Sequence, residues 1–256
     1  MIAHMTIPKD LIGRLARARS VAVLTGAGVS VESGVPTFRA AQTGLWAKYN
    51  PEELSTPGAF RRNPRLVWEW YAWLRKLVAE ARPNAAHLAL AQMEKLFPEF
   101  HLITQNIDSL HQRAGSRDVI ELHGNVTRTK CFDEDVVVAS WPDTGDLPPK
   151  CPHCGGLLRP DVVWFEEQLP EAAMERAATA SATCDVFFSI GTAAVVYPAA
   201  ALPGDALRHG AVVVEINPRP TPLTDRADFV LTESAGAVLP ELVRALGEIP
   251  RDKPAP

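Results

Sequence analysis

Short apolar runs alternate with stretches of helical apolar spacing along this chain, and this alternation constrains the fold more than any other feature. The apolar runs have the length and β-branched content of buried strands; they occupy residues 21–24, 101–104, 118–121, 186–190, 212–216 and 229–231. Helical spacing recurs at residues 11–18, 85–96, 171–179 and 238–246. Because this order places helices on both faces of a parallel sheet, it predicts an α/β fold with a doubly wound, Rossmann-like sheet.

Two segments depart from the alternation and predict a smaller inserted module beside the sheet. Residues 42–80 form a helical segment that is rich in aromatic side chains. Residues 126–159 contain three cysteines and several prolines, which is typical of a zinc-ribbon-like segment. We therefore interpret residues 1–256 as one domain with these two insertions. The proline-containing stretch 250–256 is predicted to be a disordered tail.

The composition argues against several classes of protein. A net charge of −4 does not favour a nucleic-acid-binding surface, and the local basic cluster of Arg61, Arg62 and Arg65 is interpreted as a solvated face. No apolar run approaches the roughly 20 residues that span a bilayer, and residues 1–20 lack the apolar core of a signal peptide. Four unevenly spaced cysteines do not indicate a disulfide framework. We expect a cytoplasmic protein without nucleic-acid or membrane partners; the oligomeric state stays open, and a monomer is compatible with the sequence.

A glycine-rich loop follows the first predicted strand. The pattern Gly26-x-Gly28 stands where a Rossmann sheet binds pyrophosphate, because glycines let backbone N–H groups approach phosphate oxygens. The dehydrogenase fingerprint is incomplete, since Val31 occupies the third glycine position and Lys48 stands where an acidic ribose ligand is expected. Taken alone, the loop fits an ordinary strand-to-helix turn as well as a nucleotide site, and hydride transfer is its alternative chemistry.

Polar side chains follow two further predicted strands. Gln105, Asn106 and Asp108 come after one strand, and His123 comes after the next. Because ligands of open α/β sheets bind at the carboxyl ends of the strands, these side chains are candidate site residues. An asparagine can orient a water, an aspartate can accept from a carboxamide, and histidine has the pKa, ~6.5, that best suits a general base near neutrality. Asn106 and Asp108 can also cap the helix that follows, and the two roles are compatible.

The blocks that contain these residues follow one another in a fixed order. They occupy residues 26–39, 104–115, 121–125 (Glu-Leu-His-Gly-Asn), 191–192, 195–198 and 216–218. Together they resemble the sirtuin family of NAD-dependent protein-lysine deacylases, most closely the bacterial and mitochondrial class that removes short and acidic acyl groups. The resemblance spans nearly the whole chain. It implies a sirtuin-type catalytic domain that transfers an acyl group, mainly acetyl, from protein lysine side chains to ADP-ribose and releases nicotinamide.

The resemblance implies roles for individual residues. His123 is the implied general base and Asn106 positions the water, while Gln105 contacts the nicotinamide ribose and Asp108 holds the carboxamide. The residues implied to bind NAD are Gly26, Ala27, Gly28, Ser30, Glu32, Thr37, Phe38, Arg39, Gln105, Asn106, Ile107, Asp108, Gly191, Thr192, Ala193, Asn217, Pro218 and Ala235. The remaining histidines are interpreted as structural; they are His4, His87, His101, His111, His153 and His209.

The implied acyl pocket departs from the class that it resembles. Tyr71 is present, but Leu74 stands where that class has an arginine that grips acidic acyl groups. Arg75 lies about 100° further round the helix, where it either reaches the pocket or points away. We therefore expect an apolar pocket that prefers acetyl over succinyl. Packing is a sufficient role for the other aromatic residues of this helix, Trp68, Trp70 and Trp73.

The resemblance also implies a groove between two segments, where a substrate peptide lies as an added strand. The groove residues are Val162, Val163, Trp164, Phe165, Val195, Val196 and Tyr197. Two positions differ from the family pattern, because Glu166 replaces a glycine and Ala193 replaces a serine. Glu166 is expected to restrict or recharge the groove entrance.

The cysteine segment contains an incomplete zinc pattern. Cys151 and Cys154 form one C-x2-C pair, and Cys131 precedes them at the spacing of a second pair whose other position holds Glu134. Three thiolates and a carboxylate can coordinate zinc tetrahedrally, so structural zinc is expected as a second cofactor beside NAD. The alternative fourth ligands are His153, Asp133 and Asp135. A module that has lost its metal and is held by packing alone is the other possibility.

Two other functions stay open from the sequence. An ADP-ribosyltransferase or NAD hydrolase would use the same cofactor cleavage, and a catalytically idle module would bind NAD as a sensor or scaffold. The complete set of Asn106, Asp108 and His123 argues against the idle module.

Overall fold

The computed structural model describes residues 7–37 and 54–248. Its strands are β1 Ser20–Thr25, β2 Glu99–Thr104, β3 Val119–Glu121, β4 Gly124–Cys131, β5 Leu158–Val162, β6 Val186–Ile190, β7 Val212–Ile216 and β8 Phe229–Leu231. Within the described ranges, six parallel strands form one sheet in the order β3-β2-β1-β6-β7-β8, while β4 and β5 form a separate antiparallel pair. The sheet grows outward from β1 in both directions, which confirms the predicted doubly wound α/β fold.

Some of the helices cover both faces of this sheet, and others belong to the smaller module. They are α1 Lys9–Arg17, α2 Pro57–Arg62, α3 Pro64–Glu80, α4 Ala85–Met93, α5 Leu110–Arg113, α6 Glu171–Thr183, α7 Leu202–Arg208 and α8 Ala235–Gly247, with 3-10 turns at Ala27–Ser33 and Ala199–Ala201. Leu11, Leu90 and Leu242 pack α1, α4 and α8 on one face, and Ala177 and Leu202 pack α6 and α7 on the other. Strands β1 and β6 are buried along their whole length, as strands covered on both faces must be.

The strand register brings the site loops to one edge of the sheet. Thr25 at the end of β1 pairs with Thr104 of β2 and with Ile190 of β6, and Thr104 pairs with Glu121 of β3. Ile190 in turn pairs with Ile216 of β7. Because all five strands run in parallel and end at the same level, the segments that follow them meet at their carboxyl edge.

The smaller module combines the aromatic helix with the cysteine hairpin. Trp70 and Tyr71 of α3 form a buried core with Trp164, which follows β5. Trp68 packs in a second cluster beside Cys131, the last residue of β4. Trp68, Trp70 and Tyr71 therefore pack within this module, and full burial of such a side chain contributes roughly 1.5–3 kcal/mol.

Some element boundaries differ from the sequence prediction. Helix α4 ends at Met93 rather than at residue 96, because the chain then tightens into three-residue turns, with Lys95 N donating to Gln92 O and Leu96 N donating to Met93 O. Helix α6 continues past residue 179 to Thr183, and the backbone bond from Cys184 N to Ala180 O at 3.1 Å closes its last turn. The chain after β1 forms a 3-10 turn rather than an α-helix.

Two predicted features lie outside the described residues, namely the start of the helical insertion, 42–53, and the tail, 250–256. None of the helices in the described ranges is long and apolar enough to cross a membrane.

Candidate active site

The glycine loop after β1 is packed directly against the loop after β6. Gly26 N donates to Ile190 O at 3.0 Å, and Gly28 N donates to Gly191 O at 2.8 Å. A Cβ atom on Gly28 would lie 2.7 Å from the Gly191 carbonyl oxygen, and one on Gly26 would lie 2.8 Å from the Thr192 Cβ atom. Only glycine fits at both positions, so the loop geometry depends on the absence of side chains.

A buried polar cluster lies against this loop. The Ser30 hydroxyl donates to Asp108 Oδ2 at 2.6 Å, and Asn106 Nδ2 donates to Ser30 Oγ at 3.2 Å and to Gly26 O at 3.1 Å. Asn106 is only 8% exposed and Asp108 only 4%. Burial raises the pKa of Asp108, and the hydrogen bond from Ser30 opposes that rise. Asp108 Oδ1 also accepts from Leu110 N at 2.9 Å, so this residue caps α5 while it holds the cluster together.

His123 is oriented by the backbone of the neighbouring loop. Its Nδ1 atom lies 3.0 Å from the Gln105 carbonyl oxygen. Because a carbonyl oxygen only accepts, Nδ1 carries the proton in this contact, and the lone pair of the neutral ring is on Nε2. Burial lowers the pKa of His123, so the neutral form dominates at pH 7. The Gln105 side chain points elsewhere and donates to Thr192 Oγ1 at 3.0 Å.

Glu121 holds the segments on both sides of this histidine, a role that the sequence pattern did not reveal. Its Oε1 atom accepts from Gln112 Nε2 at 2.7 Å and from Asn125 Nδ2 at 2.6 Å. Its Oε2 atom pairs with Arg128 Nη1 at 2.7 Å. One carboxylate thus joins α5, which follows Asp108, to β4, which follows His123. The only available signal was an acidic residue two positions before the histidine.

Two buried histidines lie beneath the polar cluster. His111 Nε2 is 2.9 Å from Thr25 Oγ1, which donates to Thr104 Oγ1 at 2.8 Å, and Thr104 Oγ1 accepts from Asn106 N at 3.0 Å. The ring of His87 lies 4.8 Å from that of His111. Burial lowers the pKa of His87 to about 4 and that of His111 to about 3, so both rings are neutral at pH 7. The sequence assigned them structural roles without placing them next to the candidate site.

The other candidate cofactor residues are spread around the same edge. The side chain of Glu32 lies against Gly236, in the first turn of α8. Asn217 Nδ2 donates to Thr192 O at 3.4 Å and to Arg219 O at 2.9 Å. Ala235 is the first residue of α8. Of the remaining candidates, Ala27, Thr37, Ile107, Ala193 and Pro218 lie in the loops of this edge, and Phe38 and Arg39 fall outside the described residues.

The acyl-pocket candidates lie on α3, and their polar atoms already have partners. The Tyr71 hydroxyl is 2.9 Å from Ser55 Oγ and accepts from Trp164 Nε1 at 3.0 Å. Burial raises the pKa of Tyr71 to about 12. Leu74 packs against the core of the smaller module.

Arg75 points away from Tyr71 and binds the cysteine hairpin. Its Nε atom donates to Val126 O at 2.6 Å, and Nη2 donates to Arg128 O and to Thr129 Oγ1, both at 2.9 Å. Its guanidinium also lies 5.2 Å from the centre of the Trp68 ring. Of the two orientations that the sequence allowed, the structure therefore shows the one away from the pocket.

The candidate groove segments differ in exposure. Val163 N donates to His123 O at 3.0 Å, which fixes one segment beside the histidine. Val162 and Trp164 are buried in the smaller module. The side chains that face solvent are Phe165, Val195, Val196 and Tyr197. An exposed apolar surface therefore lies next to the candidate base.

The metal candidates come together as one cluster. Ligand atoms of Cys131, Glu134, Cys151 and Cys154 all lie within 4.8 Å of one another, and all four cysteines of the chain are free thiols. Cys131 Sγ and Cys154 Sγ are 3.4 Å apart, near the roughly 3.8 Å that separates two sulfur ligands of a tetrahedral zinc. The donor set fits structural zinc with Glu134 in the fourth position. This group does not include the alternative ligands His153, Asp133 and Asp135.

Comparisons with known proteins give a consistent result. The model of the Sir2 family matches residues 26–198. An NAD-dependent protein deacylase of Aquifex aeolicus is 52% identical over 231 residues, covering 90% of this chain and 96% of its own. NAD-dependent protein deacylase 1 of Pseudomonas aeruginosa is 49% identical over 244 residues, covering 92% of this chain and 98% of its own.

Solved structures agree with these relatives. The crystal structure of a Sir2 homologue in complex with NAD matches with a TM-score of 0.88 at 47% identity over 95% of each chain. A Sir2 protein bound to acetylated peptide matches with a TM-score of 0.83 at 31% identity, covering 94% and 99%.

Proposed function

The chain belongs to the Sir2 family, and we propose that it is an NAD-dependent protein-lysine deacylase whose main activity is deacetylation. The reaction transfers the acyl group from lysine to ADP-ribose and releases nicotinamide. One observation carries the proposal: the glycine loop, the Asn106–Asp108 pair and His123 meet at one edge of the sheet. This arrangement combines a nucleotide site with a neutral base.

The chemistry of the site fits NAD. Asn106 and Asp108 are buried, and the Asp108 carboxylate has lone pairs beyond those that accept from Ser30 and Leu110, which suits the N–H groups of a carboxamide. The glycine loop keeps backbone close to any bound phosphate, because no Cβ can stand between them. NAD, when bound, supplies a ribose carbon that loses nicotinamide and accepts the acyl oxygen.

In this proposal each polar residue has one task. His123 accepts a proton from a ribose hydroxyl on Nε2, while Gln105 O holds the ring through Nδ1. Asn106 is anchored through Nδ2, which leaves Oδ1 as the atom of this amide that accepts from the attacking water. Positioning of this kind can contribute ~7–11 kcal/mol to catalysis when the reactants are held well.

The proposed substrate is an acylated lysine side chain of a protein. The peptide lies between the segments 162–165 and 195–197, and the acyl group extends towards Tyr71 and Leu74. Support for this placement comes from the hydrogen bond that joins Val163 to His123 and from the apolar side chains exposed beside it. The cytoplasmic location expected from the sequence stays a prediction.

Nicotinamide release, measured with and without an acetyl-lysine peptide, tests the function. A deacylase releases nicotinamide only with the peptide and forms acylated ADP-ribose in equal amount. Release without peptide would instead indicate an NAD hydrolase. Transfer of ADP-ribose onto protein would indicate a transferase. Absence of release under both conditions would indicate an idle NAD-binding module.

A further inference from the structure

We propose that Glu166 makes the peptide groove selective for acyl-lysine sites flanked by arginine or lysine. The inference rests on the proposed deacylase function and concerns which peptides the groove accepts. Within the described ranges, the exposed Glu166 side chain next to the groove serves neither packing nor pairing.

Glu166 occupies a turn that is fixed on both sides. Trp164 N donates to a carboxylate oxygen of Glu167 at 2.8 Å, and Glu167 N donates back to Trp164 O at 3.1 Å. Phe165 N donates to Ser55 O at 2.9 Å. The backbone around Glu166 is therefore held rigidly, and its side chain projects from a defined point next to the exposed ring of Phe165.

The backbone at Glu166 does not call for this side chain. Its φ angle is +73°, in the left-handed region that favours glycine, and the residue is exposed. Glycine would adopt the same turn without strain. The carboxylate is therefore an addition to the groove rather than a requirement of the fold.

Glu166 is also the only charged residue in the two groove segments. Residues 162–166 read Val-Val-Trp-Phe-Glu, and residues 193–197 read Ala-Ala-Val-Val-Tyr. The next residue, Glu167, is neutralised by an ion pair with Arg159. Glu166 forms no hydrogen bond or ion pair with any residue in the described part of the chain. Among the residues that the structure describes, the groove therefore carries one negative charge that has no ion-pair partner.

An acetylated lysine is neutral, so a charged groove acts on the residues that flank it. A flanking arginine or lysine gains one exposed ion pair with Glu166, and such a pair changes affinity by about two- to fivefold. The effect falls as salt increases, because an exposed pair is screened. A flanking glutamate experiences repulsion of similar size.

Matched acetyl-lysine peptides that carry arginine or glutamine beside the acetyl-lysine test the proposal in the full-length protein. The expected result is a kcat/KM about two- to fivefold higher for the arginine peptide at low salt. Glu166→Gln removes the charge and keeps the side chain, and Glu166→Gly removes the charge and the strain; both should abolish the preference. Glu99→Gln, an exposed residue at the opposite end of the sheet, should retain it.

The outcomes separate this inference from the deacylase function. Equal use of both peptides by the wild type, or an unchanged preference in Glu166→Gln, overturns the role of Glu166 and leaves the deacylase function intact. Failure of the wild type to deacetylate either peptide overturns both proposals.

Discussion

His123 Nδ1 and the Gln105 carbonyl oxygen are 3.0 Å apart, and this contact fixes which nitrogen of the ring is free to act as a base. Burial lowers the pKa of His123, which keeps Nε2 unprotonated at neutral pH. On the acid side of the pH profile, kcat/KM should therefore rise with a midpoint below pH 6.5, which is the ordinary pKa of histidine. A midpoint above 6.5 would contradict the environment described for this ring.

His123→Ala should lower turnover by about 10²–10⁴-fold while the fold persists, because no other described base lies in its place. Single-turnover deacetylation and the circular dichroism spectrum check the two parts of this expectation. His209→Ala is the control, since the His209 ring is exposed and its one hydrogen bond to a described residue is with the backbone carbonyl of Asp205. Near-normal deacetylation by a folded His123→Ala variant would remove His123 from the mechanism.

Glu121→Gln should lower kcat about tenfold and change KM for the peptide little, because the loss of one charge-assisted contact costs roughly 1.5–3 kcal/mol. The carboxylate joins α5 to β4 through Gln112, Asn125 and Arg128, so its loss loosens the loop that holds His123. Glu94→Gln is a matched control, since Glu94 is equally exposed at 14% and pairs with Arg117. If Glu121 had only a structural role, the melting temperatures of both variants would fall alike and kcat would stay unchanged.

The wild-type protein should use acetyl-lysine more efficiently than succinyl-lysine. Tyr71 already shares its hydroxyl with Ser55 and Trp164, and Arg75 is bound to β4, so a succinyl carboxylate would find no partner among the described residues. An unpaired buried charge is strongly unfavourable, and a preference of at least about tenfold is expected in kcat/KM.

Leu74→Arg should move this preference towards succinyl, because arginine forms a bidentate contact with a carboxylate. Ala72→Arg adds the same charge at an exposed position of the same helix and should leave the preference unchanged. A wild-type protein that prefers succinyl-lysine would show that the pocket contains a cation that this geometry does not account for.

Protein purified without added metal should contain one zinc per chain, held by Cys131, Cys151, Cys154 and Glu134. Glu134→Gln should weaken binding in a chelator competition, and Glu134→Cys should strengthen it, since thiolate is the softer ligand. His153→Ala should leave the affinity unchanged. A stable protein without zinc would instead favour a module that is held by packing alone.

Stability should fall as the pH drops below about 6.5, the unfolded-state pKa of histidine. The folded-state pKa values of His87 and His111 are about 4 and about 3, so between these values and 6.5 the unfolded chain binds more protons. Each histidine then contributes a slope of up to ~1.4 kcal/mol per pH unit.

Urea unfolding at pH 7 and pH 5 measures this slope in the wild type and in His111→Gln. The variant keeps a polar group near Thr25 and removes one titrating ring, so its slope should be shallower. Asp108, whose pKa is raised by burial, acts in the opposite direction and is common to both proteins. Identical slopes in the two proteins would contradict the expectation.

The sheet was predictable because its signal is local. Buried strands such as β1 and β6 appear as apolar runs, and the polar residues after β2 and β3 must meet once the strands are parallel. The direction of Arg75 was not predictable, because the helical period fixes its angle on α3 but not the position of β4. The contacts of Glu121 were not predictable either, because its partners come from α5 and β4, which lie on either side of β3 in the chain.

Sequence likewise could not reveal that Thr25 and Thr104 join His111 to the backbone of Asn106. Each of these residues fits its own strand or helix without any reference to the others. The contacts among them form only because β1 pairs with β2 in this register. The fourth metal position shows the reverse case: Glu134 stood out because the cysteine spacing left a gap of known length.

The bonds from Arg75 to Val126, Arg128 and Thr129 have a consequence for the acyl end of the substrate. They fasten helix α3, which carries Tyr71 and Leu74, to the strand that ends at Cys131. Oxidation of a thiol or withdrawal of the metal would loosen that strand first, and the helix would shift with it. The tolerance of this enzyme for longer or shorter acyl chains should therefore respond to thiol oxidants and chelators well before the sheet unfolds.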